Sequence, residues 1–350
     1  MKKYRNHSIK KGDIIQSLVD ELGITKFELV GFHNANCKND DVIGLGLPIH
    51  IKELFVYPHI REIKKENYPT AQFDSGYTLR CKPTDKKKTY GVSYTVTEAN
   101  SEVNKISFKI TLECKQISNG HFLYEINKHE TYINNQEADL IADQLAEKVA
   151  HVLYPLKVIV NPDGKFTGIH NYEAIKKRWV AEKEKLLEYY QGDWSNKYLE
   201  LTEVTLQSEI KLYNALCGDW FLSSFFAGIY VNYSPYFKFE NSITFPIIPN
   251  ILPITYKVLQ TTDEYLDEYG QLIVEQNGVL NDERSLIDLE NGASFANYAM
   301  QYPDAEKATG EFISKYFLNP LNNTIESLFL RCSISLDQPK TIQVIVSLID

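Results

Sequence analysis

The sequence predicts an α+β protein in two unequal parts. One is a small N-terminal βααβ module; the other is a larger body of curved antiparallel sheet packed on two or three helices. Three observations carry this. The first fifty residues pass from strand-like to helical periodicity and back within one closed unit. Residues 73–134 hold four runs rich in Tyr, Val, Ile and Phe, each bounded by a turn cluster. The C-terminus repeats that alternation as a hairpin, with helical patterns between the two β regions. The expected boundaries are 1–52 for the module, 53–72 for a connector and 73–350 for the body. A subdivision of the body near 233 is the alternative.

Within the module, a short strand is expected to end at Lys11-Gly12-Asp13, followed by a helix over 14–22. Asp13 stands where a helix N-cap belongs, and Thr25 can cap a second helix over 26–32. Ile15, Leu18, Val19 and Leu22 recur at three- and four-residue intervals, giving one apolar face, and Phe27 and Val30 do the same on the second helix. A closing strand is expected over 43–51.

These residues resemble the LysM domain. The matching ones are Ile9-Lys10-Lys11-Gly12-Asp13, Ile15, Leu22-Gly23-Ile24-Thr25, Leu29, Asn34 and the closing Ile43, Gly46, Ile49 and Ile51. The resemblance covers about one seventh of the chain. It implies binding of N-acetylglucosamine glycans such as peptidoglycan or chitin, in a groove between two loops. By position these are Gly12, Asp13, Ile14 and Ile15 on one side, and Asp40, Asp41, Val42 and Ile43 on the other. Where the family commonly has Thr after Gly-Asp, this chain has Ile14, so a hydroxyl available to a sugar is lost. The charged segment 37–41 adds groups that a neutral glycan does not require. Docking onto protein therefore stands beside glycan binding as a reading of the same module.

The body begins as a meander, with strands expected over 77–82, 90–98, 105–117 and 121–133. An amphipathic helix over 135–153 stops before Pro155. Asn161-Pro162-Asp163-Gly164 turns a hairpin, and Asn171 caps a long helix over 172–191 that Gly192 ends. A second long helix is expected over 203–230, with Gly218 as a break point. Its apolar second half is to be buried, and Asp219 within it is the most interesting lone acid, read as a cap or a core hydrogen-bonding group. Prolines 246, 249 and 253 make 234–254 an irregular edge. Strands follow over 254–261 and 271–276, then polar turns with short helical pieces over 281–315, then the hairpin 327–337 and 341–349.

Composition narrows the function. At 350 residues the chain can bury a sizeable core. A net charge of −9 argues against a nucleic-acid binder, which needs a basic surface. Five scattered cysteines without a CxxC pair argue against a disulfide framework and a zinc site, and no cofactor is expected. The 23 tyrosines and 17 phenylalanines fit pleated sheet surfaces. No apolar run is long enough to span a bilayer, and the N-terminal residues, two lysines with no apolar stretch behind them, lead to the expectation of no signal peptide. A cytoplasmic location is expected, or association with the envelope by a non-classical route. GxSxG, Walker, Rossmann and HExxH patterns are all missing. The acidic run 263–268 lacks the glycine and terminal glutamate of an EF loop.

The expected function is thus a non-catalytic adaptor. It docks through the LysM-like module onto cell-wall glycan, or onto protein subunits of an envelope or contractile injection-type secretion assembly. The alternative is a peptidoglycan-targeted hydrolase or toxin-like enzyme. A sheet that carries a lipid or small molecule is a third reading.

Overall fold

The computed structural model describes residues 5–10, 13–22, 24, 26–38, 41–44, 46–48, 50–56, 69–74, 76–99, 101–117, 120–137 and 140–349. The chain divides into two compact units, Met1–Asn67 and Tyr68–Asp350.

The first unit is β1 (Arg5–Ser8), α1 (Ile15–Leu22), α2 (Lys26–Asn36) and β2 (Glu53–Val56). β1 and β2 pair antiparallel, from Arg5 opposite Val56 to Ser8 opposite Glu53. Ile15, Leu18, Val19 and Leu22 of α1 meet Leu29 of α2 and Leu54 and Val56 of β2 in one small core. The helix spacing read from sequence therefore buries the face it predicts. The closing strand does not lie at 43–51. The described residues of that stretch are loop, because Gly44 and Gly46 weaken strand pairing and Pro48 lacks a ladder donor. The strand falls instead at Glu53–Val56, in the stretch read as connector, where Leu54 and Val56 alternate inward. Ile43 and Ile51 still reach the core, at 2% and 8% exposure, from the loop. The capping expected of Asp13 is also different: its carboxylate accepts from Lys10 N at 2.7 Å, while Ser17 Oγ accepts from Ile14 N at 3.0 Å. The cap expected of Thr25 lies outside the described residues, as does the side chain of Phe27.

The second unit is mixed α/β, with a large antiparallel sheet and several helices. Its strands are β3 (Lys88–Glu98), β4 (Ser101–Gln116), β5 (Phe122–Ile133), β6 (Gln136–Glu137), β7 (Leu156–Val160), β8 (Phe166–Ile169), β9 (Lys238–Phe245), β10 (Ile254–Thr262), β11 (Leu272–Leu280), β12 (Glu311–Leu318), β13 (Ile325–Ile334) and β14 (Lys340–Leu348). They form one twelve-stranded sheet in the order β8-β7-β5-β4-β3-β14-β13-β12-β11-β10-β9, with β6 attached to β5. The C-terminal strand thus pairs with the first strand of the body, Lys340 opposite Glu98 through Leu348 opposite Tyr90.

The helices are α3 (Ile141–His151), α4 (Tyr172–Tyr189), α5 (Asp193–Leu206), α6 (Glu209–Leu216), α7 (Trp220–Phe225), α8 (Leu286–Glu290) and α9 (Asn297–Gln301). Alternate residues of each long strand, such as Tyr90, Val92, Tyr94 and Val96 of β3, share a core with Ile175, Trp179, Leu199, Leu212 and Phe225 of the helices. The tyrosine content serves this core. The hydroxyls of Tyr90, Tyr230, Tyr233, Tyr256 and Tyr316 donate to the carbonyls of Ile325, Asn323, Ile229, Ser333 and Ser224 at 2.7–3.1 Å. Each buries a ring while satisfying its polar tip.

Several expectations change here. The helix expected over 203–230 is three helices: Ser208 Oγ caps α6 and Asp219 Oδ1 caps α7, accepting from Leu222 N at 2.8 Å. The apolar periodicity ran through both breaks, but each cap starts a new helix axis. Residues 135–153 hold β6 before α3, because Asn134 and Asn135 take φ of 52° and 64° and turn the chain back on β5. The strand expected at 77–82 is reduced to two isolated bridges at Thr78, to Asp74 and to Asn232. β12 occupies 311–318, which was read partly as polar turn, and β9 pairs within the stretch read as an irregular edge.

Candidate functional site

Of the residues singled out in the small unit, Gly12 and Asp40 lie outside the described residues; Asp13 and Ile14 precede α1, Ile15 begins it, and Asp41, Val42 and Ile43 lie between α2 and β2. Ile15 is 5% exposed and Ile43 2%, and both sit in the same core, so the segments 13–15 and 41–43 are anchored on one cluster. Their neighbours point the other way: Ile14 is 63% exposed and Val42 48%. Each segment therefore offers one apolar side chain to solvent beside one that it buries.

The second loop is held from α2. Asn34 and Ile43 exchange two hydrogen bonds, Nδ2 to Ile43 O and Ile43 N to Oδ1, both at 2.9 Å. His33 is fully buried. Its Nδ1 accepts from Phe55 N at 3.0 Å, so Nε2 carries the proton and donates to Asp41 O at 2.9 Å. One imidazole thus ties the loop to β2, which is the satisfied-core role for a histidine and not a ligand role. Asp41 also pairs with His50 at 3.5 Å on the exposed side. Val42 thus follows directly on a residue paired with an exposed histidine.

The other residues considered for chemistry have structural partners. Asp219 caps α7, and burial raises its carboxyl. Within the acidic run, Asp267 Oδ1 accepts from Tyr269 N and Gln271 N at 2.9 and 2.8 Å, which closes its own turn. Among the described residues no group of three or more His, Cys, Asp or Glu is placed to hold a metal ion. Among them, too, no helix is long and apolar enough to cross a membrane.

Sequence reasoning did not find a cavity in the larger unit that the fold closes around Lys88. It measures about 40 Å³, between the β3–β4–β5–β7 end of the sheet and the chain at 225–230. Leu112 and Phe122 line its sheet side and Phe225, Phe226 and Tyr230 its helix side, with Pro83, Thr84 and Lys86 at the rim. Tyr230 is pressed so closely on the turn after β7 that a Cβ at Gly164, where φ is 86°, would lie 2.5 Å from its ring. Cys81 and Cys114 also line the cavity, together with Tyr124. Burial pushes Cys81 up to about 11 and Cys114 up to about 12, so neither is a ready nucleophile. The one available signal was strand parity, which puts Lys88 on the face of Tyr90 and Val92.

No known family's sequence profile matches the chain, and no curated protein matches it. Among solved structures, one described as lipid–protein interactions in lipovitellin aligns over 80% of this chain at 8% identity and a TM-score of 0.36. The chain spans about a quarter of that molecule, 26% of its length. No function is carried over from a likeness of that size.

Proposed function

We propose that this chain is a non-catalytic docking protein whose small N-terminal unit is the tether. The observation that supports this is the pair Ile14 and Val42, apolar and exposed, each set beside a residue anchored in one core. Apolar groups held out to solvent on a braced loop favour a partner that covers them. In this reading the unit is LysM-like, and its occupant is a protein subunit of an envelope or secretion-type assembly. Ile14 offers no hydroxyl to a sugar, and the Asp41–His50 pair supplies charge at the margin. The glycan reading is kept because the βααβ order and the two-loop placement fit it equally.

The test is retention of the full chain on purified peptidoglycan and on chitin, for wild type and for the double variant Ile14→Asp, Val42→Asp. Protein docking predicts no retention of either. It also predicts a cross-link from a photo-reactive residue at Val42 to one discrete partner, lost on Ile14→Asp. Retention of wild type alone assigns the loops to glycan. Release of soluble glycan fragments by the full chain would overturn the non-catalytic reading itself.

A further inference from the structure

Parity along β3 sends Tyr90, Val92, Tyr94 and Val96 into the core, and Lys88 begins the same row. Its ammonium is half-buried beside the cavity described above. Nζ donates to Thr324 Oγ1 at 2.7 Å, which uses one of three donors. The Thr324 hydroxyl itself donates to Asn322 Oδ1 at 2.7 Å. Among the described residues no carboxylate comes within 4.0 Å of Nζ to form an ion pair. Glu326, whose charge acts on Lys88, has both oxygens engaged by Gln271 and Asn319 at 2.7 Å each. Burial pulls the Lys88 ammonium below its ordinary pKa, so the position carries a cost that an anion would relieve.

We propose that this cavity binds a short amphiphilic monocarboxylate, its carboxylate on Lys88 and its apolar tail between Leu112, Phe122, Phe225 and Phe226. Lys88 is the one half-buried ammonium of the lining, Lys86 standing exposed at the rim, and no arginine fork lines the cavity, which matches one negative charge better than a phosphate. The tail is short because the enclosed space takes about three water-sized groups at roughly 10–15 Å³ each. The walls are aromatic and aliphatic, so extending the acid from its head group removes apolar surface from water. This site is in the larger unit and is independent of the docking role assigned to the smaller one.

Isothermal titration of the full chain with acetate, butyrate and the uncharged 1-butanol tests it. Butyrate is expected to bind at least tenfold more tightly than either of the others. Lys88→Met is expected to lose that tenfold for butyrate while leaving butanol unchanged. Should the Met variant not fold, as judged by its melting curve, Lys88→Gln keeps a donor for Thr324 and is expected to show the same loss. Wild type that fails to bind butyrate, binds acetate equally, or loses no affinity on substitution of Lys88 would overturn the proposal.

Discussion

Arg284→Ala is expected to destabilise the larger unit by about 3–5 kcal/mol, the usual cost of removing one partner from a buried ion pair. Arg284 and Asp282 have side-chain exposures of 5% and 6% and meet at 2.7 Å. The guanidinium takes both carboxylate oxygens and also donates to the carbonyls of Leu252, Pro253 and Ala293. Those carbonyls belong to the turn before β10 and to the thirty-residue excursion between β11 and β12, so one side chain fastens two loops. Alanine would leave three carbonyls without that donor and a buried carboxylate without its counter-charge, held only by the backbone N–H groups of Thr255 and Arg284. Urea unfolding at pH 7 should show the midpoint falling while its slope is kept. A shift below about 0.5 kcal/mol, the range of an ordinary surface substitution, would show that the fork is not holding the loops.

The same excursion predicts an acid transition. Burial alone would raise the Asp288 carboxyl, but donation from Tyr298 N, Ser285 N and Oγ, and Ala299 N holds it at about 2, against an ordinary 3.8. Asp282 is likewise held low, burial raising it and Arg284 and two backbone donors overriding that. The sign follows from linkage. A carboxyl lowered in the folded state contributes fully above its unfolded pKa and loses that contribution as pH falls through the folded value. Stability should therefore be flat near neutrality and fall between about pH 4 and pH 2. Asp288→Asn, which cannot titrate, is expected to be weaker at pH 7 and to lose less over that window. An equal loss in the variant would place the acid sensitivity elsewhere.

The elements that sequence showed well were those whose periodicity coincided with one continuous axis. β3, β13, β14 and α4 alternate or repeat without interruption, and their boundaries lie close to the expected ones. The failures have local causes. The apolar run through 203–230 conceals the cap at Ser208, because capping requires one side-chain oxygen and leaves the hydrophobic pattern untouched, whereas the break at Gly218 and the cap at Asp219 were legible. The closing strand of the small unit was misplaced because Ile43 and Ile51 are spaced as a strand would space them, yet they enter the core from a loop that Asn34 clamps. The cavity was illegible for a different reason. Its walls come from residues more than two hundred positions apart, Lys88 and Thr324 among them, and it is long-range pairing, that of β14 with β3 included, that brings those parts of the chain together.

That long-range closure gives the last prediction. Gly310→Ala is expected to cost about 3 kcal/mol or more, at the upper end for overpacking. At Gly310 the chain enters β12 while lying against the end of β13: Leu280 N donates to Gly310 O at 2.9 Å and Ser335 N to Thr309 O at 2.7 Å. A Cβ there would stand 2.2 Å from Ser333 O, 3.1 Å from Ser333 C and 3.2 Å from Ile334 Cα. All three are backbone atoms, so no rotamer change relieves the clash and the two strands must separate. Ser333 O also accepts from Tyr256 OH at 3.1 Å, and its displacement would strand a buried hydroxyl. Gly168→Ala is the control, since a Cβ there meets only Ile159 Cδ1 at an ordinary 3.8 Å. Both variants should be compared with wild type by urea unfolding. If Gly310→Ala unfolds at the same midpoint as Gly168→Ala, then β12 and β13 do not approach as closely as their backbones require, and the sheet is more loosely closed at that corner than its register implies.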